Sequence, residues 1–572
     1  MRNNVKHISI LLIINLLFSL SCSSRRTFRL PDEMPDDTRH IFPPEEKNIS
    51  LYKEIVDVMV LLPIDHIFDF SRHLRKLAGK PKQALNVDAY DEVQNSSWFT
   101  NRNEAKKMSI DEIIQGSDTG EGPNLSGLWT ITRAKLQGVM PGFQIKDSEG
   151  IEYLIKFAPP GYSELPSGAE LVSAKLFYAA GYNVPEYYIV YFRPEILRMG
   201  DNVKFTDKNG QNRIMTPDDL DEMLEKVEIL PNGTIRAVAS KFLEGKIIGP
   251  FRFEGTRKDD PNDIIPHEHR RELRGFGVIC AWLNNSDPKA QNTLDTYVVE
   301  NGKGYVKHYI LDFGVTLGSG GHGPTPPFIG FEYHIEPTAF FKQLLSLGLY
   351  VPPYEKYDGV EDPAVGLYKS ENFNPGKYKT QFPHPAFDNM TNRDGFWGAK
   401  IVMSFTDEQL EAAVGQGKYT NPDAADVLLN TIIERRDIIG RYWFERMNPL
   451  DKFRIQAVAD KKQELHFVDL AIETGLEQAG KSSYKYSLTN TDIGVVVDMG
   501  VQYDNSIPLP DIHTLMESKK GSTHEEINDT VWELKIHTRR GEGDKWSKWV
   551  KVFFSIDDKS GNYVFLGNQC QE

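Results

Sequence analysis

Apolar and polar positions along the chain change period several times, and each change marks an element. From Trp129, alternation of period two runs through WTITRAK, FQIKD and EYLIKFA, separated by the turns QGVMPG and SEG. This predicts a three-stranded antiparallel meander. A helical period follows, with Ser167-Gly168-Ala169-Glu170 fitting a capping box before LVSAKLFYAA and Gly181 as the stop. VPEYYIVYF returns to strand. Residues 263–284 are helical, with Leu273, Phe276, Ile279 and Leu283 on one face. The loop NNSDPKAQN then leads into a hairpin, TYVVE and YVKHYILDFG across an NGKG turn. Residues 335–447 read as mostly helical. Thr406-x-x-Gln409 and Asn421-Pro422 are helix starts, and Leu428, Ile432, Ile439 and Trp443 line the last helix. After about 453 the strands LHFVDLAI, IGVVVDM, VWELKIHT, WVKVFFSI and NYVFLG predict a small β-sandwich.

The N-terminal end is an address. Arg2 and Lys6 precede an apolar run from Ile8 to Leu20. At about thirteen residues that run is too short to cross a bilayer of about 30 Å, and it suits a secretory signal. Leu20-Ser21-Cys22 resembles the end of a bacterial lipobox, so Cys22 is the expected lipidation site and the bacterial cell envelope the expected location. Ser19-x-Ser21 also suits an ordinary signal peptidase and simple secretion. Residues 23–50, with PDEMPDD and FPPEEK, read as a linker. LYKEIVDVMVLLPIDHIFDFSRHLRKL is a helical run interrupted at Pro63, within an extension spanning 51–124.

Composition narrows the function classes. The 572 residues carry 66 Lys+Arg against 81 Asp+Glu, a formal charge of −15. That balance argues against nucleic acid as a bulk partner, and a mean hydropathy of −0.44 argues against a polytopic membrane protein. The expected membrane contact is therefore a lipid anchor only. Three cysteines, Cys22, Cys280 and Cys570, are too few for a disulfide scaffold or zinc ribbon. His267-Glu268-His269 fails the HExxH spacing because Arg271 stands where the second His belongs, and there is no GxSxG or GxxxxGK[ST]. The Arg/His cluster at 267–274 reads more readily as a solvated helix face than as a phosphate-binding or acidic-partner surface.

One constellation remains: Asp287-Pro-Lys289-Ala-Gln-Asn292, a hairpin, then Leu311-Asp312-Phe313-Gly314. Here the chain resembles the protein-kinase-like superfamily, with D-x-K-x-x-N in its loop and DFG after the hairpin. Asn285 two residues before the aspartate is similar to HipA-type kinases. The phosphatidylinositol-kinase-like and secreted-kinase-like groups share the same spacing. The resemblance implies an α+β fold with a β-rich N-lobe and hinge at 125–262 and a mainly helical C-lobe at 263–452. The β domain at 453–572 would follow.

It also implies ATP or another nucleotide as ligand, Mg²⁺ or Mn²⁺ as cofactor, and a hydroxyl acceptor on protein, sugar or lipid. Phosphoryl transfer needs metal on the phosphate oxygens, a cation on the phosphates and an acceptor for the hydroxyl proton. Asp312 and Asn292 would be the metal ligands and Asp287 the base, with Lys289 meeting developing charge. Lys156, mid-strand in EYLIKFA, matches the phosphate-binding lysine and Glu170 its paired acid. The Gly138/Gly142 turn corresponds to the phosphate-covering loop but lacks G-x-G-x-x-G. Two other functions stay open: a catalytically inactive kinase-fold binding module, and an envelope scaffold or adhesin working through its β domain.

Overall fold

The computed structural model describes residues 30–572 apart from 32, 136–141, 208, 337–341, 348, 357–358, 360–361, 459–461, 492–493, 512–529, 542, 544 and 558–559. The leader with Cys22, and Gly138, lie outside the described residues. The chain is mixed α+β and divides into two compact units. One comprises Glu33–Asp88 and Glu92–Met447, the other Ala89–Asp91 and Asn448–Gln571.

The first unit opens with an arm of helices: α1 (Leu51–Val56), a π-helical turn (Asp57–Leu61), α2 (Leu62–Phe68) and α3 (Phe70–Leu77). Pro63 does not interrupt it, contrary to the sequence expectation. The ring sits in the first turn of α2, where no N–H is required, and the wide π turn ahead of it keeps the backbone helical. The break falls at Asp69, whose side chain caps α3 by accepting from the Arg72 N–H. Between this arm and α4 (Ile110–Gln115) the extension is irregular among the described residues.

A seven-stranded sheet follows, made of β1 (Trp129–Lys135), β2 (Gly142–Lys146), β3 (Glu152–Phe157), β4 (Tyr187–Phe192), β5 (Leu197–Thr206), β6 (Asn212–Ile214) and β7 (Ile235–Lys241). Their order is β4-β7-β3-β2-β1-β5-β6. The meander β1–β3 is antiparallel, as its alternation predicts, whereas β5 joins β1 in parallel. Tyr153, Ile155 and Phe157 of β3 face a core with Trp129, Phe143 and Phe192. Lys156 therefore points to the opposite face.

Helix α5 (Leu165–Ala179) packs behind this sheet, and its start corrects the sequence reading. Ser167 is not an N-cap. Pro166 begins the helix one turn earlier, and the Ser167 hydroxyl instead donates to the Ser163 carbonyl at 2.7 Å. Glu170 is thereby released from capping duty.

A second sheet holds β8 (Lys246–Gly249), β9 (Thr293–Glu300) and β10 (Lys303–Ile310), in the order β10-β9-β8. The β9–β10 hairpin turns on Asn301 and Gly302, both at positive φ (51° and 77°), as the NG signal requires. Helices α6 (Pro217–Leu224), α7 (Arg271–Leu283), α8 (Pro385–Asp388), α9 (Asn392–Met403), α10 (Asp407–Gly415) and α11 (Pro422–Arg446) complete the unit. Thr406 and Gln409 form the expected capping box, and Leu428, Ile432, Ile439 and Trp443 are buried.

The Arg/His cluster is not a solvated face. His267, Arg270, Arg271 and Arg274 are all buried. Arg271 and Arg274 converge on Asp394 of α9 at 3.1 and 3.0 Å. Burial is possible because the acid lies on a facing helix.

In the second unit, β11 (Leu450–Ala457), β12 (Gln463–Asp469) and β15 (Ser506–Leu509) form one sheet. The other runs β14-β13-β16-β17-β18, from β13 (Ser482–Asn490), β14 (Val495–Gln502), β16 (Trp532–Arg540), β17 (Trp549–Ile556) and β18 (Tyr563–Cys570). Trp532, Leu534 and Ile536 are buried, as their alternation predicts. Rings of Phe453 and Phe467 meet Phe565 and Tyr484 of the other sheet.

Candidate active site

The site forms where β3, α5, the 285–292 loop and the end of β10 meet. Lys156 Nζ donates to Glu170 Oε1 at 2.6 Å and to Asp312 Oδ1 at 3.0 Å. Glu170 is buried, while the Asp312 side chain is 43% exposed. Burial alone would pull the Lys156 ammonium down, but Asp312 and Glu170 more than reverse it and push its pKa up. Burial drives the Glu170 carboxyl the other way, upward, against the pull of Lys156. The short contact and the two-acid surroundings of the lysine decide the matter: it stays charged between them.

Asp312 sits at φ 62°, a left-handed conformation uncommon outside glycine and a few small polar residues. The surroundings fix it there. Its N–H donates to the Tyr187 hydroxyl at 3.2 Å, and Leu311 N–H to the Asn292 carbonyl at 2.9 Å. Phe313 is fully buried, stacked on Phe177 of α5 with ring centroids 4.8 Å apart. Phe177 in turn meets Phe276 of α7 at 5.5 Å. The aromatic run ties the Glu170 helix, the Asp312 turn and α7 together.

On the loop, Asp287 Oδ2 accepts from Lys289 Nζ at 2.6 Å and from Asn292 Nδ2 at 3.2 Å. Its Oδ1 is buried with no hydrogen-bond partner among the described residues. Burial raises the Asp287 carboxyl, Lys289 opposes this, and the nearby Asp312 charge adds to it. Asn292 also spends its side-chain amide nitrogen on the Asp287 carbonyl at 2.9 Å, so its side-chain oxygen is the atom that would meet a cation. Asp312 and Asn292 carry hard oxygen donors of the kind that Mg²⁺ or Mn²⁺ takes.

Of the residues singled out in the sequence, Lys156, Glu170 and Asp312 form one ion-paired group and Asp287, Lys289 and Asn292 another, and the Leu311 N–H to Asn292 carbonyl bond joins the two. Gly142 stands directly opposite Lys156 in the β2–β3 register. A Cβ there would lie 2.9 Å from the Ile155 carbonyl, so the strands approach as only glycine allows. Gly138 falls outside the described residues.

Two participants carry no sequence signal of their own. Tyr187 holds the Asp312 backbone and lies under Lys156 Nζ, 5.9 Å from its ring centre. Glu54 of α1 accepts from the Ala290 N–H at 2.7 Å, on the very loop that bears Asp287 and Lys289. The arm and the loop together wall a small pocket of about 30 Å³. Ile55, Val58, Phe253, Phe382, Asp287 and Lys289 line it.

Comparison with known proteins returns no matching family model and no matching curated protein. Solved structures do match. The Helicobacter pylori proinflammatory kinase CtkA is 11% identical, over 53% of this chain and 91% of that one, with a TM-score of 0.28. The Golgi casein kinase is 10% identical over 74% and 94%, with a TM-score of 0.27. The same enzyme with Mn/ADP bound is 9% identical over 67% and 88%, with a TM-score of 0.24.

Proposed function

We propose that the first unit is a two-lobed, kinase-like phosphotransferase moving a phosphoryl group from a nucleotide to a hydroxyl acceptor. We place it in the bacterial cell envelope, held there by a lipid on Cys22. The observation that carries the transferase reading is the double ion pair of Lys156 with Glu170 and Asp312. It puts a permanent cation, and a carboxylate that is partly open to solvent, at one point of the site.

In this reading Lys156 binds the nucleotide's α/β phosphates, and Glu170 holds its ammonium in place. Asp312 and Asn292 hold a divalent cation, which supplies neutralisation of charge on the phosphate oxygens. The acceptor hydroxyl approaches the loop at Asp287. Asp287 Oδ1, buried and unpartnered, takes the hydroxyl proton as the new O–P bond forms and the bond to the leaving nucleoside diphosphate breaks. The raised Asp287 carboxyl suits that role, because burial strengthens a carboxylate as a base. Lys289, held against Asp287, meets the charge that builds on the transferred group.

The test is Mg²⁺- or Mn²⁺-dependent nucleotide binding and autophosphorylation by the purified chain, repeated with Asp312→Asn. Wild-type binding and transfer, with transfer lost in the variant, supports the reading. Transfer that survives Asp312→Asn refutes the site, and absence of nucleotide binding in the wild type refutes the function. Nucleotide binding without transfer to any acceptor identifies the inactive binding module instead.

A further inference from the structure

The arm has two faces of opposite character. Its inner face is satisfied: Glu54 bonds the Ala290 N–H, Asp57 pairs with Arg252 at 2.7 Å, and Arg72 donates to Asn389 Oδ1 at 3.0 Å. The outer face is apolar and open. Ile67, Phe68, Phe70, Leu74 and Leu77 are all exposed, the last at 86%. Helices packed on a water-soluble surface place polar residues there, so this face is built for a different medium.

Charge identifies the medium. The whole chain is acidic, yet 70–82 holds Arg72, Arg75, Lys76, Lys80 and Lys82 with no acid among them. Lys76, Lys80 and Lys82 are exposed beside the apolar residues, while the acids of α1 and the π turn are turned inward. Of the two acids further along, Asp69 is spent capping α3 and lies 3.7 Å from Arg75, and Asp65 is the one exposed acid, outnumbered by the basic residues of 70–82. Bulky apolar residues flanked by lysine and arginine are the pattern of a helix lying in a membrane interface, which anionic headgroups attract.

Position agrees. Asp37 accepts from Ser97 N–H at 3.0 Å, and Ile41 N–H donates to the Gly304 carbonyl at 2.8 Å, so the chain is fixed to the unit from there on. Fifteen residues separate Cys22 from Asp37. Fully extended they reach about 50 Å, which keeps a Cys22-anchored unit beside the bilayer.

We infer that the outer face of the 60–80 arm docks on an anionic phospholipid surface, as a membrane contact separate from Cys22. The inference stands whether or not the site transfers phosphate. Its test uses the full chain carrying Cys22→Ala, so that no attached lipid contributes. Co-sedimentation and hydrogen–deuterium exchange are measured with phosphatidylcholine vesicles, with and without 30% phosphatidylglycerol. Anionic vesicles are expected to retain the protein and protect 60–80 from exchange. Lys76→Glu/Lys80→Glu and Phe70→Ser/Leu77→Ser, all at exposed positions, should each weaken retention by tenfold or more. The uncleaved leader contributes equally to every variant, so the differences belong to the arm. Equal protection of 60–80 on neutral vesicles, equal protection in wild type and variants, or no protection of 60–80 would overturn the inference. So would protection without vesicles accompanied by a sedimenting dimer, which would make a second copy of the chain the occupant.

Discussion

Two buried clusters of opposite charge sit in the same unit, and they differ in what is left over. Around Asp394 both carboxylate oxygens are used, although the Arg271 Nη2 atom is buried with no hydrogen bond of its own among the described residues. Arg274 donates through Nε to the Glu268 carbonyl, through one terminal nitrogen to Asp394 and the Lys82 carbonyl, and through the other to His269. Asp394 also accepts from the Thr391 N–H and hydroxyl. Around Lys156 the accounting is open: Asp312 faces solvent on one side, and Asp287 keeps an unpartnered oxygen. A charge cluster whose carboxylate oxygens are all taken holds a fold together. One with exposed or unpaired oxygens has capacity for a ligand, which is why the second cluster and not the first is assigned the chemistry.

The largest expected effect breaks the Asp394 cluster. Asp394→Ala strands two arginines with 1% and 0% side-chain exposure, and should cost about 3–5 kcal/mol of stability, read from urea unfolding. An unfolding midpoint within error of the wild type would show that Arg271 and Arg274 do not depend on Asp394.

Next comes the open cluster. Asp312→Asn should lower phosphoryl transfer by about 10²–10³-fold, with the unfolding midpoint nearly unchanged because the side chain is 43% exposed. A large loss of stability would instead place Asp312 with the structural cluster.

Asp388 lies between the two types. Burial pushes its carboxyl up to about 6, with Arg72 and Lys76 only partly opposing. A carboxyl raised in the folded state favours folding when protonated, so stability should fall as pH rises from about 4 to about 6. Asp388→Asn should therefore raise the melting temperature at pH 7, by the equivalent of about 1–3 kcal/mol, and leave it unchanged at pH 4. A variant that melts earlier at pH 7 would show that Asp388 is paired after all.

The smallest effect is expected at Gly142. Its alanine Cβ would meet the Ile155 carbonyl at 2.9 Å, opposite Lys156. The cost should be about 1 kcal/mol, together with weaker nucleotide binding in calorimetry. Unchanged affinity would separate the strand's packing from the site.

Local pattern carried much of this architecture. The β1–β3 meander, the β9–β10 turn and the Thr406 cap all follow from residues within a few positions of one another. So does the order of Lys156, Asp287, Asn292 and Asp312 along the chain. What the sequence hid depends on distant partners. The 267–274 cluster looks solvated until Asp394, on a helix 120 residues later, is placed against Arg274. Ser167 and Glu170 satisfy the capping-box spacing. Pro166 starts the helix earlier, and Lys156 claims the acid. Strand β5 lacks a clean alternation because half of it is an exposed edge paired only with short β6 beyond β1.

The Glu54–Ala290 hydrogen bond spans 236 positions. A contact of that reach closes a long loop of chain, and such contacts form late because their closure entropy must be met before they contribute. The loop bearing Asp287 can gain this restraint only once the chain has been made through Ala290, nearly three hundred residues in. Competence at the site is tied to the order of assembly: the segment made first completes the loop made long after it.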